Sequence, residues 1–175
     1  MNRSALRPIP DGLRLRFEAG PGDGEAVRRI VTATGAFRPD EVDVAVELVD
    51  ERLARGAASG YEFVFAEVGG QAVGYSCYGP IACTVGSYDL YWIAVTPGEH
   101  RRGIGAALLA ESERAIAAAQ GRHIYVETSS TPRYAAARSF YERHHYERIA
   151  TFTDFYEPGD SKVVYRKVTR PEPLR

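Results

Sequence analysis

A nearly uncharged run followed by a glycine turn constrains the fold more than any other part of the sequence. The run SYDLYWIAV, Ser87–Val95, is aromatic and β-branched apart from Asp89, which is typical of a central strand covered on both faces. The stretch GEHRRGIGAALL, residues 98–109, places two arginines and a histidine beside Gly103 and Gly105 and continues into a segment of high helix propensity. The pattern predicts a strand, a tight turn and a helix in direct succession.

The segments before this unit alternate between strand and helix patterns. LRLRFE predicts a strand from residue 13, and helical spacing predicts one helix over residues 24–34 and a second that begins near Pro39. The turn at Gly69 and Gly70 predicts a hairpin between YEFVFAEV and QAVGYSCYG, because glycine adopts the positive φ that such turns require.

The segments after the glycine turn continue the alternation. The helix that follows the turn is expected to end with Gly121 as its C-cap, and HIYVETSS then predicts a strand. TPRYAAARSFYERHH predicts a helix with Thr131 as N-cap, and YERIATFTDFY and KVVYRKV predict two final strands. This order of seven strands and four helices predicts one α/β domain with a mixed sheet.

Composition narrows the classes of function. The 175 residues are 45% hydrophobic, enough for one domain with a core, and the formal charge of −1 creates no overall field for nucleic acid or an anionic membrane. We find neither a membrane-spanning run nor a signal peptide, which predicts a cytoplasmic protein. Cys77 and Cys83 lack the spacing of a metal site, so we expect no metal and interpret both as small buried hydrophobes.

The glycine turn has the chemistry of an anion site. Gly103 and Gly105 let successive backbone N–H groups face a ligand, and the helix N-terminus that follows favours negative charge. Arg101 and Arg102 would add mobile charge at the rim of the turn. By itself, the glycine pair fits an anion cradle and a flexible entry to a helix equally well.

Two other phosphate loops do not fit the stretch. A Walker A loop needs Lys and then Ser or Thr after its second glycine, where this chain has Ala106 and Ala107. The dinucleotide fingerprint needs a third glycine where this chain has Leu108. Binding of a nucleoside triphosphate or of NAD is therefore not supported.

The order of the strand LYWIAV, the turn TPGEHRRGIGAALL, a helix, a further strand and the segment ARSFYERHHY resembles the GCN5-related N-acetyltransferase (GNAT) family. The resemblance covers residues 13–168 and implies a single α/β domain. Its mixed, largely antiparallel sheet would have about seven strands flanked by about four helices, splayed between the fourth and fifth strands. Residues 1–12 would form a loose N-terminal segment, and residues 169–175 a C-terminal tail.

The resemblance implies acetyl-CoA as the co-substrate. The family motif reads Q/R-x-x-G-x-G/A, and HRRGIG matches it except that His100 stands where Gln or Arg is usual. The backbone of Ile93, Ala94 and Val95 would pair with the pantetheine arm. The pyrophosphate would lie on the turn, whose binding residues would be His100, Arg101, Arg102, Gly103, Ile104, Gly105 and Ala106.

The resemblance also places the acid that protonates the departing thiolate, at Tyr141 in SFYERHHY. The family has a glycine where this chain has His145, and left-handed backbone costs a histidine about 1 kcal/mol, so we expect a different helix end here. For the base that deprotonates the acceptor amine, placement alone offers Asp89 and Glu127, and a water chain could serve instead.

The acceptor site is the least defined part of this interpretation. Asp154, Tyr156 and Asp160 lie in or beside the connection between the last two strands and could hold a cationic amine, or they could simply form a Pro-Gly turn. The leading hypothesis is an acyl-CoA-dependent N-acetyltransferase that moves acetyl to a primary amine by direct attack in a ternary complex. The alternative is a non-catalytic acyl-CoA-binding sensor. We expect no nucleic-acid or membrane partner, and edge strands at the C-terminal end could pair in a homodimer.

Overall fold

A computed structural model of the chain describes residues 12–100 and 102–169, and within them it contains seven β-strands and four α-helices. The predicted N-terminal segment and C-terminal tail fall outside these residues, apart from Gly12 and Thr169. The strands are β1 Leu13–Arg16, β2 Glu62–Val68, β3 Gln71–Pro80, β4 Ser87–Val95, β5 His123–Ser129, β6 Glu147–Glu157 and β7 Asp160–Val168. The helices are α1 Asp23–Thr34, α2 Pro39–Arg55, α3 Ile104–Ala118 and α4 Ala135–Arg143.

The seven strands form one mixed sheet in the order β1-β2-β3-β4-β5-β7-β6. β1 is antiparallel to β2, and β7 is antiparallel to both β5 and β6. β4 and β5 are parallel and pair through Ser87–Asp89 and His123–Tyr125, the N-terminal ends of the two strands. The predicted fold is confirmed, including the splay between the fourth and fifth strands.

The chain divides into two compact units, which we describe separately. The first contains the described residues up to Cys77 together with Trp92–Ser112. Its core lies between α1, α2 and one face of β2 and β3, because the apolar stripe of each helix needs an apolar face to cover it. The fully enclosed side chains of this core are Val27, Ile30, Val31, Val49, Phe65, Tyr75 and Cys77.

Local polar contacts fix the elements of the first unit. Arg16 on β1 forms a bidentate pair with Asp23 at the start of α1, at 2.8 Å for both nitrogens, and a third contact of 2.7 Å with Glu67 on β2. α2 begins at Pro39, and the Arg38 N–H donates to the Glu41 carboxylate at 2.7 Å. Such contacts satisfy the N–H groups that a helix start leaves without intrahelical partners.

The second unit contains Tyr78–Tyr91 and the described residues from Glu113 onwards. α4 packs on one face of its sheet, where the Tyr141 ring lies 6.0 Å from the Tyr165 ring on β7. The end of α3 reaches the same face, since Glu113 pairs with Lys167 at 2.7 Å. In the register of β5 and β7, Tyr165 lies opposite Val126, so Val126 shares this face and Glu127 lies on the other.

Three sequence expectations need correction. Cys77 is buried but Cys83 is exposed, because Cys83 lies in the turn between β3 and β4. β4 is not covered on both faces: Leu90 and Ala94 are buried, whereas Tyr91 is 39% exposed. The Thr131 hydroxyl contacts the Ser129 hydroxyl at 2.8 Å and makes no side-chain cap bond to the short 3-10 turn that precedes α4.

The predicted C-cap of α3 is the fourth expectation that needs correction, because Gly121 is not the left-handed residue that ends this helix. That residue is Gln120, with φ +62°. The Gln120 and Gly121 N–H groups donate to the carbonyls of Ala117 and Ile116, which is the hydrogen-bond pattern of a Schellman motif. Gly121 is needed for space, since a Cβ at this position would lie 2.3 Å from Ile116 Cγ2.

No helix among the described residues combines the length and the apolar character needed to cross a membrane.

Candidate functional site

The glycine turn of the first unit has the predicted strand-turn-helix geometry. The Thr96 N–H donates to the Val73 carbonyl at 2.8 Å, which ties the end of β4 to β3, and a 3-10 turn follows over Pro97–Glu99. The Ala107 N–H then donates to the Gly103 carbonyl at 3.0 Å, so Gly103 is the N-cap of α3. The turn therefore passes directly from the end of β4 to the start of the helix.

Gly103 determines the conformation of this helix start. Its φ is +79°, which glycine adopts without strain and other residues do not, and a Cβ here would meet no atom within 4 Å. The next three N–H groups, those of Ile104, Gly105 and Ala106, precede the first residue with an intrahelical acceptor. Three backbone donors and the positive end of the helix dipole thus meet beside open space, which suits a phosphate group.

His100 contributes a hydrogen bond that the sequence did not predict. Its ring Nε2 lies 2.8 Å from the Val95 carbonyl oxygen, and a carbonyl only accepts, so Nε2 carries the hydrogen and donates. This bond joins the turn back to the last residue of β4. The residue that departs from the family motif therefore holds the turn against the strand.

Arg102 brings a positive charge to the start of α3. Arg102 donates from its guanidinium to the Glu99 carboxylate, three residues earlier, and is exposed beside the helix start. Arg101 lies outside the described residues. The Glu99 pair holds Arg102 at the rim of the turn, which is where the sequence placed it.

Close packing at Gly74, which was not predicted from the sequence, positions α3 against the strands. A Cβ on Gly74 would lie 3.0 Å from the Ala94 carbonyl oxygen, 3.1 Å from a Val95 methyl group and 3.2 Å from a Leu108 methyl group. The signal available was a lone glycine in the interior of a strand, which often marks a close approach of neighbouring backbone or side chains. Ala94 is buried, and Ile93 and Val95 on either side of it are partly exposed.

Tyr141 in the second unit is a buried phenol within an aromatic cluster. It lies on α4, is 7% exposed, and its ring is 5.7 Å from the Tyr146 ring as well as 6.0 Å from Tyr165. Burial raises the pKa of Tyr141 above its ordinary value, because the phenolate would lose its hydration. Tyr141 therefore keeps its proton at neutral pH and can act as a donor.

The helix end after Tyr141 keeps the geometry that a glycine would give. His145 adopts φ +65°, and the N–H groups of His145 and Tyr146 donate to the carbonyls of Glu142 and Tyr141 at 3.1 and 3.0 Å. These are the two bonds of a Schellman motif, and the Tyr141–Tyr146 ring contact supplies its apolar part. The expected change of the helix end is wrong: the histidine accepts the left-handed backbone.

Asp89 and Glu127 lie on one face of the sheet. Asp89 pairs with Tyr125 in the parallel register, and Glu127 is two residues further along β5, so their side chains share that face. Asp89 is partly buried, and the pKa of its carboxyl is raised to about 6, first by lost hydration and then by the nearby Glu127 charge, while Lys162 opposes the shift. Glu127 is exposed and pairs with Lys162 at 3.2 Å.

Tyr141 and the two carboxylates lie on opposite faces of the sheet in the second unit. Tyr141 packs against Tyr165, on the face that Val126 shares, and Glu127 lies on the other face. The structure thus brings the two candidate bases together and separates them from the candidate acid.

The three candidate acceptor residues have structural contacts of their own. Asp154 has φ +51° and accepts from the Gly159 N–H at 2.9 Å, across the turn between β6 and β7. Asp160 accepts from the Ser129 hydroxyl at 2.6 Å. Tyr156 is 42% exposed and packs edge-on against Phe155. The contact of Asp154 fits the turn alternative, whereas that of Asp160 joins the start of β7 to the end of β5.

Comparisons with known proteins identify the family of the chain. Residues 59–148 match the family model described as an acetyltransferase (GNAT) domain. A GNAT-family protein from Desulfovibrio desulfuricans is 47% identical, with a TM-score of 0.88, and the match covers 89% of this chain and 98% of that one. Curated proteins give no match.

More distant solved structures share the fold. An aminoglycoside 6′-N-acetyltransferase complexed with coenzyme A is 18% identical, with a TM-score of 0.73, and the match covers 93% of this chain and 99% of that one. The ribosomal-protein-S18-alanine N-acetyltransferase from Escherichia coli is also 18% identical, with a TM-score of 0.72 and the same two coverages. At this identity the likeness concerns the fold alone.

Proposed function

Because the chain belongs to the GNAT acetyltransferase family, we propose that it is an acyl-CoA-dependent N-acetyltransferase whose acceptor is a primary amine. Acetyl-CoA supplies the acetyl thioester, and the amine attacks it directly in a ternary complex. The C–N bond forms as the C–S bond breaks, so the amine loses one proton and the thiolate gains one.

The helix start at Gly103 is the observation that carries this proposal. The N–H groups of Ile104, Gly105 and Ala106 would hold the pyrophosphate, with Arg102 at the rim. The backbone of Ile93, Ala94 and Val95 would pair with the pantetheine arm. His100 would act through its bond to the Val95 carbonyl, which keeps the turn beside that strand.

The residues of the second unit suit the two proton transfers. Asp89, with a pKa of about 6, is ionised at neutral pH and could take the proton that the attacking amine loses. Glu127 would support it as a second negative charge on the same face. Tyr141 would protonate the thiolate, since its buried phenol stays protonated at neutral pH.

The role of Tyr141 is tested with a matched pair of variants. Tyr141→Phe removes the proposed acid, and we expect kcat to fall about 100-fold or more while the KM for acetyl-CoA stays near the wild-type value. Tyr146→Phe removes the neighbouring buried hydroxyl of the same cluster and should leave kcat within about twofold, as expected of a group outside the proton-transfer step. The measurement is steady-state release of CoA thiol.

Two results would contradict the proposal in different ways. If Tyr141→Phe kept the wild-type kcat with chemistry rate-limiting, the acid would be another group. If the wild-type protein were stabilised against heat by CoA but released no thiol with any amine, amino acid or peptide N-terminus tested, the non-catalytic sensor would be the better account.

A further inference from the structure

Lys162 occupies a defined position beside the two carboxylates. In the register of β7 it lies opposite Ser129 on β5 and Phe152 on β6, on the same face as Glu127. Its Nζ is 3.2 Å from both carboxylate oxygens of Glu127. It also lies 3.9 Å from the centroid of the Phe155 ring and 5.2 Å from that of Phe152. One carboxylate and two aromatic rings thus hold the ammonium group.

Lys162 is better shielded from water than its partner. Its side chain is 14% exposed and that of Glu127 is 52% exposed. A cation over an aromatic face with little water around it has a stronger field than one at the open surface. The charge of Lys162 therefore acts on its neighbours with less screening than a surface lysine would.

Asp89 is the neighbour that responds to this pair. The Glu127 carboxylate raises the pKa of Asp89, and the Lys162 ammonium lowers it. Other titratable side chains on this face are Tyr91 on β4, His123 and Tyr125 on β5, and Arg166 on β7. Arg166 pairs with Glu147 at 3.2 Å. On β3, the titratable residue of the second unit is Tyr78.

We propose that Lys162 is a positioning residue that holds Glu127 and, through this pair, sets the protonation equilibrium of Asp89. That Asp89 is the base for the acceptor amine rests on the proposed function above. The electrostatic link between Lys162 and Asp89 stands independently of it. With Lys162 in place, the repulsion between the two carboxylates is partly cancelled, so Asp89 ionises at a lower pH than it otherwise would.

The test measures the titration of Asp89 directly. Carboxyl ¹³C NMR of the labelled full-length protein follows Asp89, whose signal is assigned by its loss in Asp89→Asn. Lys162→Met removes the charge but keeps an alkyl chain against Phe152 and Phe155, and we expect the Asp89 midpoint to rise by about half a pH unit or more. Glu127→Gln should lower the midpoint. Lys162→Arg, which retains the charge, should stay close to the wild type.

The pH dependence of turnover is a second readout of the protonation equilibrium of Asp89. The acidic limb of the kcat/KM profile should move up in pH with Lys162→Met and down with Glu127→Gln, following the NMR midpoints. An Asp89 midpoint that moved with neither variant would overturn the inference. If the midpoints moved and the acidic limb did not, the link between Lys162 and Asp89 would be upheld and Asp89 would not be the base. Failure of this inference and failure of the role proposed for Asp89 therefore give different results.

A merely structural role for Lys162 predicts a different result. If it only fastened β7 to the aromatic rings, Lys162→Met and Lys162→Arg would change the free energy of unfolding and leave the Asp89 midpoint unchanged. Urea unfolding of the same two variants at about pH 7 separates this case from the proposed one.

Discussion

Asp89 is a carboxyl whose charge changes at a pH well above the ordinary range of an aspartate. It lies on a strand beside Glu127, and both lost hydration and the neighbouring charge favour its protonated form, which raises its pKa to about 6. The folded chain therefore takes up this proton at a higher pH than the unfolded chain does. Linkage then requires that Asp89 lower the stability of the fold as the pH rises through the interval between its unfolded and folded pKa values, about 4 to 6.

This direction of the pH dependence of stability gives a prediction for Asp89. The free energy of unfolding of Asp89→Asn minus that of the wild type should be larger at pH 8 than at pH 4. At pH 8 the Asp89 carboxylate is charged, whereas at pH 4 both side chains are neutral. The measurement is urea unfolding at the two pH values. Glu47→Gln, on the exposed side of α2, controls for loss of a surface charge. An Asp89→Asn difference that was larger at pH 4 would contradict the raised pKa.

The sequence identified the site residues whose role depends on local order along the chain. Gly103 and its following amides could be predicted because a left-handed residue and a helix start are properties of neighbouring positions. Lys162 could not, since its effect on Asp89 depends on the strand order that places β7 beside β5. His100 was identified as a departure from the motif, but its bond to Val95 depends on how the turn folds back.

Among the secondary-structure elements, the ends of two helices differ most clearly from what the sequence predicted. α3 and α4 both end in a Schellman motif, and each places a residue other than glycine in the left-handed position, Gln120 and His145. The sequence predicted Gly121 for the first end and a changed geometry for the second. Both expectations assumed that the left-handed position needs a glycine, whereas the two Schellman hydrogen bonds form at each end without one.

His145→Gly should therefore stabilise the protein. We expect the free energy of unfolding to rise by about 0.5–1 kcal/mol, because relief of left-handed strain exceeds the entropy that glycine adds to the unfolded chain. Gly121→Ala is the contrasting variant at the other helix end: its Cβ would press on Ile116, and a loss of about 1–3 kcal/mol is expected. Denaturant unfolding measures both. A destabilised His145→Gly would mean that the imidazole itself contributes to the helix end.

The strands and helices as units were well predicted from the sequence. The alternating pattern and the glycine turns identified all seven strands and four helices among the described residues, because each pattern is local. The burial of β4 was less well predicted. An apolar run such as SYDLYWIAV does not show which of its two faces is covered, and Tyr91 stays exposed.

For the molecule as a whole, the order of strands and helices indicated the family, and the family predicted the splayed mixed sheet. Spacing and composition do not predict the strand order, in which β7 lies between β5 and β6. β6 lies at the edge of the sheet and exposes Ile149, Phe152 and Phe155. Edge pairing in a homodimer stays a prediction, and so does the identity of the acceptor amine.

Initial-rate kinetics of the wild-type protein test the central claim most directly. Thiol release is measured while acetyl-CoA and a productive amine are varied together. Direct attack in a ternary complex requires both substrates bound at once, so we expect double-reciprocal lines that intersect and no thiol release without the amine. Parallel lines, or a burst of thiol release from acetyl-CoA alone, would show a covalent acetyl-enzyme and contradict the proposed mechanism.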